Sequence, residues 1–336
     1  MQNPVPVLSM RKLYSSASHR QEFIAEIGKA AREVGFFYLE DHGISLTEQV
    51  KVLDTAKSFF ALSNTAKKET QMIHSPHFRG YSANYSELTA GRRDRREQFD
   101  IMDELTAFSD ADIHHEWQKL IGPNQWPKQL PEMKPQLLSW QDKLTEVSLQ
   151  LLEALCESLE QPSDALSETV RKGPYRHTKL IKYPGTSEGS EQGVGAHKDP
   201  GYLTLVMQDE NSGLEVEFEQ QWYKVAPRPG AFVVNIGELL ELASNGYLKA
   251  TNHRVTSPKK GVTRYSSAFF MAAQLDASVP VLNLPPHLAK QAKGPTSDPN
   301  NPLLNNVGEN VMKGRKRSHP DVSMRFYPQP LECTSC

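Results

Sequence analysis

The chain of 336 residues is 38% hydrophobic and 23% charged, which is typical of a globular protein with a buried core. Its formal net charge of −2 creates no strong field toward nucleic acid or a membrane surface, so we predict neither as a partner. No apolar run reaches the length of a membrane span, and the first residues lack the pattern of a signal peptide. We therefore expect a cytoplasmic protein, with Cys156 buried in a helix; Cys333 and Cys336 lack the further ligands that a zinc site needs.

The first part of the chain predicts helices and short strands in alternation. We expect an edge strand at residues 4–8, a helix that begins at the cap Ser18 and ends near Val34, and a strand at residues 36–39. A second amphipathic helix is predicted at residues 47–60. Together these elements indicate a mixed helix and strand region that precedes the rest of the fold.

A polar, irregular segment follows at residues 63–96. It contains four arginines, at Arg92, Arg93, Arg95 and Arg96. These could face an anionic substrate, but a solvated surface is the preferred interpretation of such a charge run.

Leucines at helical spacing along residues 135–159 predict one long helix packed on a sheet. Beyond it, short strand patterns alternate with turn signals. The predicted strands cover residues 179–183, 193–199, 202–208, 214–218, 222–225, 232–236, 252–257 and 264–271. Evenly spaced short strands indicate a sandwich or barrel, so the fold class is mainly β with flanking helices.

Three side chains in this second part predict a metal site. His197 and Asp199 are two residues apart, and such residues share one face of a strand. His253, on a later strand, would add a second imidazole. Two histidines and one carboxylate leave coordination positions open, a pattern typical of non-haem iron(II) oxygenases.

The same spacing occurs a second time, at His319 and Asp321. That pair has no later histidine to complete a ligand set, so we interpret it as structural or surface. It follows a basic run at residues 313–317, for which a solvated loop is the expected structure.

Arg264 and Ser266 form another pair two residues apart. Residues 257–261 resemble a turn, so His253 and Arg264 are expected to be neighbours across a hairpin. A buried guanidinium without a carboxylate needs an anion, and a small dicarboxylate bound to the metal would supply one, with Tyr183 as a further contact. Phe269 and Phe270 on the same strand could wall off the cavity or pack in the core.

These motifs resemble the isopenicillin N synthase-like superfamily of iron(II)/2-oxoglutarate-dependent oxygenases. The resemblance rests on Gly-Ala-His-Lys-Asp at 195–199, Val-Asn-Ile-Gly at 234–237, His-Arg-Val at 253–255, Arg-Tyr-Ser at 264–266 and Arg-Gly-Tyr at 79–81. It implies a distorted jelly-roll (double-stranded β-helix) core, with Fe(II) on His197, Asp199 and His253. It also implies 2-oxoglutarate on Arg264 and Ser266, with Tyr183 near the co-substrate or substrate, and O2 as the oxidant.

The resemblance spans nearly the whole chain and implies one catalytic domain over residues 1–336. Within it, residues 1–160 would form the N-terminal helical and strand region. Residues 175–275 would form the jelly-roll core that carries the iron site, and residues 276–336 a C-terminal extension.

The expected activity is the oxidation of a small organic substrate by hydroxylation, desaturation or cyclisation, with release of succinate and CO2. Two alternatives stay open at this level. One is an iron oxidase of the same fold that does not use 2-oxoglutarate, because such relatives keep the Arg-x-Ser pair. The other is a jelly-roll binding protein without catalysis. The sequence does not name the primary substrate or the oligomeric state.

Overall fold

The structure, a computed structural model, describes residues 3–187, 191–296, 301–304 and 306–328. Cys333 and Cys336 lie outside the described residues. The α-helices are α1 (Lys12–Ser15), α2 (Ala17–Glu33), α3 (Leu46–Ala61), α4 (Asn64–Glu69), α5 (Met133–Ser158), α6 (Glu238–Ala243), α7 (Pro286–Ala289), α8 (Val307–Ser318) and α9 (Pro320–Phe326). The strands are β1 (Val7–Ser9), β2 (Phe36–Glu40), β3 (Gly80–Ser82), β4 (Leu88–Thr89), β5 (Arg92–Arg93), β6 (Glu97–Met102), β7 (Tyr175–Pro184), β8 (Gln192–His197), β9 (Leu203–Gln208), β10 (Leu214–Phe218), β11 (Gln221–Lys224), β12 (Phe232–Ile236), β13 (His253–Thr256) and β14 (Thr263–Ala272).

Two sheets form the centre of the fold. The larger has eight strands in the order β1-β2-β12-β9-β14-β7-β6-β3, and the smaller has four in the order β11-β10-β13-β8. Apolar residues of both sheets, such as Val216 and Val233, belong to one buried cluster, so the sheets pack face to face. This arrangement confirms the predicted fold class, a β-rich jelly-roll core with flanking helices. The N-terminal region contributes β1, β2, β3 and β6 to the larger sheet.

Helices α2, α3 and α5 cover the outer face of the larger sheet. Helix α5 contacts α2, α3 and strands β7, β9 and β14, and Leu137, Leu144, Leu151 and Leu155 are each at most 1% exposed. Full burial of one such leucine contributes roughly 1.5–3 kcal/mol to folding. The apolar stripe of α5 therefore packs on the larger sheet, as the sequence predicted.

Alternation along β14 separates the two faces of this sheet. Phe269 and Met271 pack in the cluster under the helices, whereas Ala268 and Phe270 contact the cluster between the sheets. Because successive strand residues point to opposite faces, Arg264 and Ser266 also face the space between the sheets. The sequence allowed both phenylalanines either to pack in the core or to line the cavity. Phe269 packs in the core, and Phe270 lines the cavity described below.

The structure corrects four local predictions. The side-chain cap of α2 is Ser16, whose hydroxyl accepts a hydrogen bond from the His19 amide, and not Ser18. Strands β3 and β6 were not predicted, because β3 is three residues long and β6 reads Glu-Gln-Phe-Asp-Ile-Met. Strands β13 and β14 do not form a hairpin, since β13 pairs with β8 and β10 while β14 pairs with β7 and β9. The basic run at 313–317 is part of α8 rather than a solvated loop.

In the described part of the chain, no helix combines the length and apolar character that crossing a membrane requires.

Candidate active site

Pairing between β8 and β13 brings the two predicted histidines together. His253 lies opposite His197 in the antiparallel register, and the ring centroids are 4.2 Å apart. Side chains that oppose each other across a ladder share one face of the sheet. The His253 ring also meets the edge of Phe36, at 5.3 Å between centroids, so the pair projects into the space between the sheets.

Asp199 lies two residues past the end of β8, and not on the strand as the sequence analysis expected. Its carboxylate still faces the imidazoles: Oδ1 is 3.5 Å from Nε2 of His197, and Oδ2 is 3.6 Å from Nε2 of His253. Thr204 Oγ1 and Asn235 Nδ2 donate to Oδ2 at 2.6 and 2.8 Å. These donors fix the orientation of the carboxylate.

The backbone fixes the position of Asp199 from the other side. The amide of Glu238, at the start of α6, donates to the Asp199 carbonyl at 2.8 Å. The preceding Gly237 lies so close to the turn that a Cβ there would be 2.1 Å from the Gly201 carbonyl oxygen. Glycine is therefore required where α6 meets the turn.

Each imidazole is oriented by the backbone carbonyl group two residues before it in the chain. Nδ1 of His197 lies 2.8 Å from the Gly195 oxygen, and Nδ1 of His253 lies 3.2 Å from the Thr251 oxygen. A ring that donates from Nδ1 keeps an unprotonated Nε2 for a metal. The potential ligand atoms of the two histidines and Asp199 all lie within 4.8 Å of one another.

Electrostatics set the charge of this cluster. Burial by itself would raise the pKa of Asp199, but His253 and the hydrogen bond from His197 hold that pKa well below its usual range. Burial and the neighbouring His197 lower the pKa of His253 to about 4. Burial also opposes protonation of His197, yet Asp199 outweighs it and raises the pKa of that imidazole. At neutral pH a buried carboxylate thus faces a neutral imidazole, a site that attracts a divalent cation.

Arg264 lies on the opposing sheet, directly across from Tyr183 in the register of β14 and β7. It is 1% exposed, and its guanidinium lies over the Tyr183 ring at 4.9 Å. Nη2 donates to Gln208 Oε1 at 2.9 Å and Nε to the Asn211 carbonyl at 3.2 Å. Nη1 is buried without a hydrogen-bond partner, and the described residues provide no carboxylate that pairs with this cation.

Ser266 is also 1% exposed and shares the inward face of β14 with Arg264. The sheets thus bring the guanidinium and the hydroxyl into the same interior as the histidines. The prediction had placed Arg264 beside His253 in a hairpin. In the structure Arg264 and Ser266 instead face the histidines from the opposite sheet.

A cavity of about 460 Å³ opens beside His197 and Asp199. Its walls come from the β4–β5 ribbon, β7, the turn after β8, and α8. The apolar part includes Val194, Phe270 and Val311, and the polar part includes many charged groups. The size is in the range of small-molecule sites.

The sequence analysis placed several charged residues at the surface that are in fact buried in the wall of this cavity. Arg96 is 7% exposed and pairs with Glu87 at 2.6 Å, whereas Arg92 and Arg93 are exposed as predicted. Arg315, from the basic run, is 8% exposed and lies 3.3 Å from Asp100. Alternation within β6 was an available signal, because Phe99 and Ile101 face the helices and leave Asp100 on the cavity side.

The two residues of the second His-x-Asp pair differ in burial. His319 is 1% exposed and 3.6 Å from Glu87, whereas Asp321 is exposed. The interpretation of this pair as structural or surface therefore describes both residues.

Two family models match the chain. The model described as 2OG-Fe(II) oxygenase superfamily matches residues 175–273, which contain the six residues considered above for metal and anion binding. The model described as non-haem dioxygenase in morphine synthesis N-terminal matches residues 5–129.

Relatives of known name and structure agree with these matches. A 2-oxoglutarate-dependent dioxygenase of Gibberella zeae is 29% identical over 361 residues, which cover 98% of this chain and 93% of the relative. A homoarginine-6-hydroxylase of Oryza sativa subsp. japonica is 33% identical over 267 residues, or 77% of this chain and 80% of the relative. The crystal structure of a 2OG-Fe(II) oxygenase family protein from Caulobacter crescentus has a TM-score of 0.75 at 27% identity, covering 93% of this chain and 99% of that one.

These similarities separate the alternatives that the sequence left open. They favour a catalyst over a binding protein, and a user of 2-oxoglutarate over an oxidase that lacks it. The chain belongs to the 2OG-Fe(II) oxygenase superfamily and is an iron(II)- and 2-oxoglutarate-dependent dioxygenase.

Proposed function

We propose that His197, Asp199 and His253 are the iron ligands of this dioxygenase. The observation that carries the proposal is the mutual orientation of three side chains from separate parts of the fold. Each imidazole has its Nδ1 bound to a carbonyl and its Nε2 directed at Asp199. Two nitrogens and one carboxylate oxygen are the donor set that non-haem iron(II) oxygenases use, with positions left open for exogenous ligands.

Arg264, Ser266 and Tyr183 are the proposed contacts of 2-oxoglutarate. The unpartnered Nη1 of Arg264 is a buried donor, and a carboxylate is the anion that a guanidinium binds in bidentate fashion. Gln208 and Asn211 hold the other two nitrogens and fix the plane of the guanidinium. Ser266 would add a hydroxyl donor from the same face, and the Tyr183 ring supports the cation.

Iron(II) at this site would activate O2 for the oxidative decarboxylation of 2-oxoglutarate to succinate and CO2, coupled to oxidation of the primary substrate. The protein residues bind and orient. Thr204 and Asn235 hold the Asp199 carboxylate in place, and Phe36 packs against His253 in the dry space between the sheets.

The primary substrate is proposed to be a small organic molecule that occupies the 460 Å³ cavity. The name of the rice relative, a homoarginine-6-hydroxylase, supports this size class. The whole chain is proposed to act as one catalytic domain, since strands from residues 1–160 complete the larger sheet. The cytoplasmic location stays a prediction of the sequence.

The test compares the two His-x-Asp sequences of the chain. Asp199→Ala is expected to abolish both iron(II) binding, measured by anaerobic equilibrium dialysis, and succinate release from 2-oxoglutarate. Asp321→Ala is the matched control, because it removes an exposed aspartate two residues after a histidine. Full iron binding and turnover in Asp199→Ala would show that the ligand assignment is wrong.

A further inference from the structure

Cationic side chains outnumber acidic ones among the residues that line the cavity beside His197 and Asp199. The cations that line it are Arg96, Lys179, Lys198, Lys313, Arg315 and Arg317. Apart from Asp199, the acidic residues that line it are Glu87 and Glu238. The charge of a site follows from which of these groups already have partners.

Four of the cations are matched by four carboxylates in or behind the wall. The pairs are Arg96 with Glu87 and Asp94, Lys179 with Glu87 and Asp100, Arg315 with Asp100, and Lys198 with Glu241, at 2.6 to 3.7 Å. These groups form a neutral network that holds the wall together. They leave no net charge for a ligand.

The remaining charges are Glu238, Lys313 and Arg317. Glu238 and Lys313 both line the cavity, and Lys313 donates to the Pro302 carbonyl. Arg317 is exposed and makes no hydrogen bond or ion pair with any described residue. The guanidinium of Arg317 is therefore the cation of this wall that has no partner among the described residues.

The helix dipole does not by itself account for this placement. Cations are favoured in the last turn of a helix, and α8 has three there, at Arg315, Lys316 and Arg317. Lys316 pairs with Glu116 at 2.9 Å, away from the iron site. Arg317 instead repeats the charge of Lys313 one turn earlier, an unfavourable spacing for a helix.

The surroundings of Arg317 suit a ligand with one charged end. Gly314 faces the cavity beside it, and a Cβ at that position would meet nothing within 4 Å. Val194, Phe270 and Val311 form the apolar part of the cavity wall. The planar guanidinium of Arg317 matches the planar shape of a carboxylate, to which it can donate two parallel hydrogen bonds.

We propose, building on the function proposed above, that the primary substrate is a small organic acid whose one carboxylate pairs with Arg317. Lys313 supports the carboxylate from the preceding turn. The apolar body of the acid lies along Phe270 and Val311, which directs the carbon to be oxidised toward His197 and Asp199.

The test measures binding without turnover. Protein loaded with zinc(II), which has no redox chemistry, and saturated with 2-oxoglutarate is titrated by calorimetry with linear and aromatic monocarboxylic acids and with their primary amides. Wild-type protein is expected to bind at least one acid ten times more tightly than its amide. Arg317→Gln is expected to remove this preference, and Lys316→Gln, which makes the same charge change on the outer side of α8, is expected to keep it.

Three outcomes are informative. If no acid is preferred over its amide, or if the preference survives in Arg317→Gln, the proposal is overturned. If acids are preferred and only Arg317→Gln loses the preference, it is supported. Binding of 2-oxoglutarate to the zinc-loaded wild-type protein is measured separately and tests the proposed co-substrate site. Failure of the proposed function is therefore distinguishable from failure of the substrate proposal.

Discussion

Replacement of Arg264 by alanine tests the co-substrate site most directly. The residue is 1% exposed, and its Nη1 is the buried donor that lacks a partner. Arg264→Ala would therefore leave the distal carboxylate of 2-oxoglutarate buried without a counter-charge. Removing one member of a buried, hydrogen-bonded charge pair costs about 2–5 kcal/mol.

This free energy corresponds to a KM for 2-oxoglutarate that rises roughly 30- to 4,000-fold, at about 1.4 kcal/mol for each factor of ten. The variant also loses the hydrogen bonds from Arg264 to Gln208 and Asn211. Each contributes about 1.5–3 kcal/mol to stability, because the donor is charged, so thermal unfolding must be measured alongside. The two effects are separable because the proposed iron ligands lie outside β14, the strand that carries Arg264.

The assay measures succinate release against the concentration of 2-oxoglutarate and, in parallel, of 2-oxopentanoate, which lacks the distal carboxylate. Wild-type enzyme should strongly prefer 2-oxoglutarate, and Arg264→Ala should lose most of that preference. Arg254→Ala is the matched control, since Arg254 follows His253 on β13 but pairs with Glu215 in a partly exposed position. A variant of Arg264 that is less stable yet keeps its KM and its preference would refute the proposed role.

Four further perturbations test the support of the site and the core. Asn235→Leu removes one donor to the Asp199 carboxylate and should weaken iron binding about 10- to 100-fold, as measured by anaerobic titration. Gly237→Ala places a Cβ 2.1 Å from a carbonyl oxygen, so both the melting temperature and iron affinity should fall. Leu155→Ala, at a fully buried position of α5, should reduce the free energy of unfolding by about 2–5 kcal/mol in urea. Asp100→Asn removes a buried carboxylate. Burial by itself would raise the pKa of Asp100, but Lys179 and the hydrogen bond from His177 hold that pKa below its ordinary value. The free energy of unfolding of this variant should fall by about 3–5 kcal/mol near neutral pH.

The pH dependence of Asp100→Asn has a definite sign. A carboxyl group whose pKa is lower in the folded state stabilises the protein above its unfolded pKa, about 3.9 for aspartate, and that contribution is lost as the pH falls further. The variant should therefore lose less stability than wild type below about pH 4. An equal loss in both proteins would exclude Asp100 as a source of acid sensitivity.

One control variant and two contradicting results apply to the other three changes. Gly230→Ala adds a Cβ that meets nothing within 4 Å, so its iron affinity should be unchanged even though its positive φ makes it strained. Unaltered iron binding in Asn235→Leu would mean that Thr204 alone orients the carboxylate. A loss below 1 kcal/mol in Leu155→Ala would show that the helix is not tightly packed on the sheet.

The sequence alone was sufficient for features that depend on residues close together in the chain. The leucine spacing of α5 follows the helical repeat of 3.6 residues, and β10, β12 and β14 are short strand-like runs bounded by turn signals; the observed elements match the predicted ranges closely. The proposed ligand set was also found in the sequence, because His197 and Asp199 are near neighbours and few histidines follow them. Short polar strands such as β6 were not predicted, because burial of their charged side chains depends on partners elsewhere in the chain.

Only the tertiary structure decided how the distant parts meet. His197 and His253 come together through the ladder between β8 and β13, while Arg264 approaches from the opposing sheet and not from a hairpin. The basic run of α8 lies over the cavity because Arg315 reaches Asp100 and His177. Ladder pairing and ion pairing between distant residues leave no periodic signal in the sequence, so charges that look solvated there can become the wall of a binding site.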